Sequence, residues 1–468
     1  MSDDKPKDKC GVFGYYGHNH ASEKAYLALH NLQHRGQESC GICSWDGNNF
    51  QLKKGMGIVN DVFTKESLDI LDGYAAIGHV RYSTIGCSKI QNAQPFLIDS
   101  CFGQICIAHN GEVSNHRELR DMLLKQGDTF QMDSDTEVIL KLICKQQGSF
   151  EERIVDAFKL IKPSYSIVLM GNEKLVGIRD PAGVRPLELG KTKTGYVLAS
   201  ESVAFDIIGA EYIREVKPGE MIVIDKDGLK SYRLFDNFKE SRCIFEQIYF
   251  SRPDSLWEDG VSIGIVRREF GRQLFRENSI EADIVIAVPD SSFDAAIGVS
   301  LESGIRYDQG LIRSHYIGRS FIEPSQELRD AAVLKKFNVN EAVVKGKKII
   351  VVDDSLVRGT TMKNLIRLIR QKGAKEIHVM ISSPPYRNSC FLGVDTADES
   401  KLVARYKNIS DIKEQIGADS LYYLSQEGML SNPYLKGRGF CNYCFDGVEP
   451  AFLETLEGSA PVQTINKR

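Results

Sequence analysis

Two rhythms of apolar and polar residues divide the chain near residue 240. Up to about residue 235 the apolar residues fall into short paired runs separated by turn residues. Examples are CGICSWDGNNFQLKKG with Asp46-Gly47 at its turn, SIVLMGNEKLVGIRD, and EMIVIDKDGLKSYRL with Asp227-Gly228 at its turn. Such pairs predict antiparallel hairpins, because Asp-Gly supplies the positive φ that a tight connection needs. Between them, SEKAYLALHNLQHRG spaces Ala25, Leu29 and Leu32 for one buried helix face, and SDTEVILKLICKQQG opens on capping residues. The first half therefore reads as helices covering antiparallel sheets.

After roughly residue 240 the order becomes strand, loop, helix, strand: DIVIAVPDSSFDAAIGVSLESG, KKIIVVDDSLVRGTTMKNLIRLIRQKG and EIHVMISS. The run Ile349 to Val352 lacks polar alternation, as a strand buried on both faces does. This predicts a doubly wound parallel sheet whose ligands sit beyond the carboxyl ends of its strands. No tandem repeat or low-complexity tract interrupts either half. The expected division is a leader over 1–9, one domain over 10–235, and a second over 236–468.

Composition narrows the class. The 468 residues exceed one ordinary core, and no apolar run approaches the length of a membrane span. With 63 acidic against 59 basic side chains, the net charge of −4 gives no reason to expect nucleic acid as the main partner. Eleven cysteines without a secretory signal point to a reducing, cytoplasmic compartment in which thiols serve chemistry, metal binding or packing. The charged start MSDDKPKDK has no apolar run, so it is no signal peptide.

The most informative stretch is IIVVDDSLVRGTTMKNLIRLI. Apolar strand residues carry Asp353 and Asp354 to the sheet edge, and a small-residue loop then opens a helix whose positions Leu365, Ile366 and Ile369 face inward. A helix start of this kind binds phosphate. Gly359 allows backbone to approach the anion, and Thr360 and Thr361 add hydroxyls. Adjacent acids repel a phosphate unless they take something else, and vicinal hydroxyls or a divalent cation suit them. The stretch resembles the signature of type I phosphoribosyltransferases, which use 5-phosphoribosyl 1-pyrophosphate (PRPP). That resemblance implies that Asp353 and Asp354 hold the ribose hydroxyls, directly or through Mg²⁺, while Arg358 to Thr361 surround the 5-phosphate and Ser355 also belongs to the PRPP-binding set. AVPDSSFDAAIG reads as a second strand-to-helix turn, where Ser291 and Ser292 are expected to face pyrophosphate or metal, and YIGRSFIEPSQELRDAAVLKKF resembles the lid of such enzymes.

In the first half, Cys10-Gly-Val-Phe-Gly precedes QHRGQESCGI, GHVRYST, AHNGEVSN and SDTE. Each is weak alone; their order resembles the class II glutamine amidotransferases, with an N-terminal nucleophile hydrolase fold of αββα layers. The resemblance implies that Cys10 becomes the N-terminus once the leader is removed, its thiol the nucleophile and its α-amine the base. A free α-amine titrates near about 7.7–8.0 and suits proton transfer at neutral pH, which a mid-chain amide nitrogen does not. Arg81 and Thr84 would hold the carboxylate of glutamine, Asp135 its ammonium, and Asn110 with the Gly111 N–H the oxyanion. Glu112 departs from the family pattern, in which a neutral polar residue is more usual.

Cys441-Asn-Tyr-Cys444 forms a close pair near the end, with Cys243 and Cys390 single upstream. Their spacing leaves a zinc site and an iron–sulfur cluster equally open. Cys40 and Cys43 point to opposite faces of a strand and do not ligate together. Cys87, Cys101, Cys106 and Cys144 are expected to be small buried hydrophobes. Together the two resemblances make the chain similar to the glutamine PRPP amidotransferases, in the branch with a cleaved leader and a 4Fe-4S cluster on Cys243, Cys390, Cys441 and Cys444. They imply glutamine hydrolysis, transfer of the ammonia to C1 of PRPP as pyrophosphate leaves, and 5-phosphoribosylamine as product, the first committed step of purine synthesis. They further imply Mg²⁺ on Ser292, Asp353 and Asp354, feedback by purine nucleotides, and a homotetramer.

Overall fold

The computed structural model describes residues 10–18, 20–82, 88–235, 238–257, 260–314, 336–396 and 398–450, with the backbone of Gln463 and Thr464. The leader, Thr84, Cys87 and residues 316–335 of the lid stretch lie outside the described residues, while its last residue, Phe337, opens the short strand Phe337–Val339.

The hairpins form where the turn residues place them. Ser39–Trp45 pairs with Phe50–Met56, and Glu220–Asp225 with Gly228–Arg233, antiparallel in both cases. These strands belong to two seven-stranded antiparallel sheets. The first runs in the order Glu211–Glu215, Glu188–Thr192, Gly195–Ala199, Cys10–Tyr16, Ala75–Arg81, Ser39–Trp45, Phe50–Met56. The second runs Gln463–Thr464, Gly228–Arg233, Glu220–Asp225, Lys174–Arg179, Tyr165–Gly171, Gly103–Gly111, Phe96–Ser100.

Side-chain alternation then decides what each face meets. Val12, Cys43 and Ile77 pack against Cys106, Ala108 and Val168 between the sheets. Phe13, Ile42 and Val80 face outward onto Ala25, Ala28 and Leu29 of the helix Ala21–Asn31. On the far side, Ile105, Ile107 and Ile167 meet Ile139 and Ile143 of Asp135–Lys145, and Ile154 and Phe158 of Phe150–Phe158. The result is helix, sheet, sheet, helix. Cys40 lies in the outer cluster and Cys43 in the inner one, opposed as the alternation requires. Cys106 is buried and Cys144 half-buried, but Cys101 is exposed, because it occupies the turn between Phe96–Ser100 and Gly103–Gly111.

The second half carries a four-stranded parallel sheet, ordered Ile284–Ala287, Lys348–Asp353, Glu376–Ile381, Ser420–Tyr423. Ile350 and Val352 pack with Val266, Phe270 and Val299 from the helices Ile263–Glu277 and Phe293–Ser303. Ile349 and Val351 face the other way, onto Leu365 and Ile366 of Thr360–Gln371 and Ile412 and Ile416 of Ile409–Ile416. Helices on both faces explain the unbroken apolar strand.

The halves are joined by more than the chain crossing at residue 235. The Ser241 and Cys243 N–H groups donate to the Ala182 and Val184 carbonyls at 2.8 and 3.1 Å. Gln463–Thr464 returns to pair with Gly228–Arg233, a connection absent from the local pattern. Among the described residues, no helix is long and apolar enough to cross a membrane.

Candidate active sites

Cys10 opens the first strand of the sandwich. It is buried and sits in register with Arg81 at the end of the neighbouring strand. Its carbonyl accepts a hydrogen bond from Arg35 Nε at 3.0 Å. Arg35 is buried and donates to Glu201 at 2.5 Å and to both oxygens of Glu246 at 3.1 and 2.8 Å. Burial pushes the Glu201 and Glu246 carboxyls up, but the nearby cations more than reverse this and hold both below the ordinary range. For Glu201 those cations are His34 and Arg35; for Glu246 they are Arg35 and Arg185.

Asn110 and Gly111 end the strand Gly103–Gly111, in register with Ser166 and Tyr165. They form no hairpin turn. Gly111 has φ 143°, and a Cβ there would lie 2.4 Å from the Ser164 carbonyl. The Asn110 side chain is fully buried, and neither its oxygen nor its nitrogen has a hydrogen-bond partner among the described residues. Glu112 is half-buried, and its main chain exchanges hydrogen bonds with Ser164 at 2.9 and 2.8 Å.

Asp135 begins the helix Asp135–Lys145, whose N-cap is Ser134. Its carboxylate accepts from the Val113 N–H at 3.0 Å and lies 3.7 Å from His109 Nδ1. Burial pushes this carboxyl up, but His109 and the Val113 N–H outweigh burial and hold it at about 2. It is ionised at neutral pH. Arg81 is buried and paired with Glu38 at 3.2 Å.

In the second half, two strand-to-helix turns converge. Asp353 and Asp354 are buried at the end of Lys348–Asp353. Ser292 Oγ donates to Asp353 at 2.9 Å and to Asp354 at 3.4 Å, Ser355 Oγ donates to Asp354 at 2.6 Å, and Ser291 Oγ also reaches Asp354. Gly359 has φ 78°, a left-handed conformation that favours glycine, and it caps the helix Thr360–Gln371. Arg358 Nε is buried with no partner among the described residues. Every donor in the acid pocket is a hard oxygen, which suits ribose hydroxyls or Mg²⁺.

The four cysteines also meet. Cys243 and Cys441 are register partners on two short parallel strands, Arg242–Cys243 and Phe440–Cys441. The Cys444 carbonyl accepts from the Arg387 and Asn388 N–H groups at 2.8 and 3.1 Å, which brings in the Cys390 segment. The Leu392 N–H donates to Cys390 Sγ at 3.3 Å. Burial pushes the Cys441 thiol up to about 12 and raises those of Cys243 and Cys444, and neighbouring thiols of the set add to each shift. A bound cationic centre offsets that cost by taking thiolates. Among the described residues, no three His, Cys, Asp or Glu side chains converge on one ion.

Sequence patterns missed Arg35, Glu201, Glu246 and His109. Arg35 stands in the quoted QHRGQE motif without an assigned role, and Glu246 is a lone acid in the apolar stretch CIFEQIYF. Around these charges, Glu201, Arg242, Cys243, Glu246, Ser255 and Trp257 line a cavity of about 30 Å³ between the halves, room for about two waters.

The chain matches two family models, a glutamine amidotransferase domain over residues 79–206 and a phosphoribosyl transferase domain over residues 262–418. It is 48% identical over 462 residues to amidophosphoribosyltransferase 1, chloroplastic, of Arabidopsis thaliana, covering 97% of this chain and 81% of that one. It is 44% identical to the amidophosphoribosyltransferase of Bacillus subtilis, covering 95% and 94%. The solved B. subtilis glutamine PRPP amidotransferase, complexed with ADP and GMP, superimposes with TM-score 0.89 at 43% identity over 94% of this chain and 97% of that one.

Proposed function

The chain belongs to the amidophosphoribosyltransferase family, and from that premise we propose how its own residues divide the work of a glutamine-dependent PRPP amidotransferase of purine biosynthesis. Residues 10–235 form the glutamine half and 236–468 the PRPP half. With the leader gone, the Cys10 thiol attacks the side-chain carbonyl of glutamine, and its α-amine takes the thiol proton and passes it to the departing ammonia. Asn110 Nδ2 and the Gly111 N–H hold the oxyanion. Water then releases glutamate from the thioester. Arg81 and Thr84 take the substrate carboxylate, and Asp135, ionised at neutral pH, takes its ammonium.

In the other half, Asp353 and Asp354 orient the ribose while Ser355, Arg358, Gly359, Thr360 and Thr361 cradle the 5-phosphate. Ammonia attacks C1, and pyrophosphate leaves with the bonding electrons. Ser292, Asp353 and Asp354 would hold Mg²⁺, which supplies charge neutralisation for the departing pyrophosphate when bound. Cys243, Cys390, Cys441 and Cys444 would hold a structural 4Fe-4S cluster. Their four sulfurs are the donor type that such a cluster takes. The enzyme is cytoplasmic, assembles as a homotetramer, and takes purine nucleotides as inhibitors, in keeping with the ADP and GMP bound to the B. subtilis protein.

The observation that carries the reading is Asn110. A fully buried amide with neither polar atom paired among the described residues is costly, and an oxyanion in the adjoining glutamine site accounts for its donor. Cys10→Ser tests the division of labour: glutamine-dependent synthesis is lost and ammonia-dependent synthesis kept. Loss of both activities refutes the two-site scheme. Active protein should begin at Cys10 by intact mass, and a retained leader at full activity refutes the base assignment.

A further inference from the structure

We infer that Glu246, a carboxylate of the PRPP half, is a positioning residue for the nucleophile Cys10, acting through Arg35. The inference rests on Cys10 as the nucleophile of the glutamine half.

Once the leader is removed, Cys10 has no preceding peptide unit to hold it. Its carbonyl is then a main handle on the orientation of both thiol and amine, and Arg35 Nε grips that oxygen at 3.0 Å. A guanidinium is planar, so whatever fixes its far edge fixes the direction in which Nε points. Glu246 fixes that edge, accepting from Nη1 at 3.1 Å and Nη2 at 2.8 Å. Glu201 takes Nη1 alone, at 2.5 Å. Glu246 is itself held: Ser251 Oγ donates to it at 2.9 Å, and Arg185 lies 3.7 Å away.

Glu246 opens a single π-helical turn, Glu246–Phe250, an element that gathers at functional sites. The same turn ties Glu246 to the PRPP half. Arg267, from the helix Ile263–Glu277, donates to the carbonyls of Gln247 at 2.8 Å and Ser251 at 2.7 Å. Buried ion pairs contribute little net stability compared with apolar side chains of similar size. A carboxylate from one half seated on the arginine that grips the other half's nucleophile is better explained by orientation.

The test uses the full, cluster-loaded chain. In Glu246→Gln, kcat for glutamine should fall about 10- to 100-fold, the scale of a small misplacement of a reacting group. The KM for glutamine and the ammonia-dependent synthesis should each stay within about twofold. Alkylation of Cys10 by iodoacetamide should slow in parallel, with a shifted pH profile. Adding Glu246→Gln to Arg35→Lys should cost no further activity, because both act on one handle. Glu246→Asp, which keeps the charge but shortens the reach, should show the same pattern more mildly.

Wild-type glutamine kcat in folded Glu246→Gln overturns the inference. So does an equal loss of glutamine- and ammonia-dependent activity, and so does failure of both Glu246 variants to fold, since each marks a structural residue. A Cys10→Ser protein that still hydrolyses glutamine overturns instead the nucleophile assignment beneath it.

Discussion

Replacing Asn110 by alanine or leucine separates stability from catalysis at one position. In the free enzyme its amide is fully buried and both polar atoms are unpaired among the described residues. An unsatisfied buried polar group costs about 1–3 kcal/mol, and alanine removes two such atoms while giving back part of the gain as lost packing. A net stabilisation of about 1–2 kcal/mol follows, or a rise of about 2–4 °C in Tm per kcal/mol for a domain of this size. Catalysis moves the other way. Loss of one oxyanion donor costs about 10²–10³ in kcat, equivalent to about 2.7–4 kcal/mol of barrier. The Gly111 N–H remains, so some glutamine turnover survives. The assay pairs thermal unfolding with glutamate release at saturating PRPP, and ammonia-dependent synthesis serves as the control. A Tm several degrees below wild type, or glutamine turnover within about tenfold of it, refutes the argument.

Other consequences are quicker to state. Gly359→Val places a β-branched residue at φ 78°, which costs about 1–2 kcal/mol and should raise the KM for PRPP; an unchanged KM would separate the loop from phosphate binding. Gly393→Ala puts a methyl 3.3 Å from both Gly111 Cα and Ser164 Oγ at φ 105°. It should slow glutamine hydrolysis more than ammonia-dependent synthesis, read from the ratio of the two rates. His79 is held at about 3 by burial, with the bond to the His109 carbonyl only partly opposing. Between about pH 3 and the free value near 6.5 the unfolded chain binds a proton that the native state does not. Stability should therefore climb with pH through that window by up to about 1.4 kcal/mol per unit and flatten above it. Urea unfolding at pH 5 and pH 7.5 should lose part of this slope in His79→Gln. Cys441→Ser should abolish visible charge-transfer absorbance and bound iron, and zinc without iron in the wild type would refute the cluster.

Much of the architecture is local information. Hairpins with Asp-Gly turns, the spacing of Ala25, Leu29 and Leu32, and the apolar run Ile349 to Val352 each specify which face is buried without reference to a partner. The loop from Asp353 to Thr361 is equally local, because strand, acid pair, small residues and helix follow within one stretch, and folding only adds Ser291 and Ser292, which meet Asp353 and Asp354. Cys101 shows the limit of composition: its residue type favours burial, but its place in a turn exposes it.

Tertiary structure decided what joins the two halves. Arg35 and Glu246 lie 211 positions apart, and Ser164 reaches the Leu392 carbonyl across 228. Cys243 meets Cys441 only because two short strands align in register. An apolar residue accepts almost any apolar neighbour, so its period alone announces its burial. A buried charge needs one oriented partner, and the chain's path through space, not the residues flanking it, selects which carboxylate arrives beside Arg35.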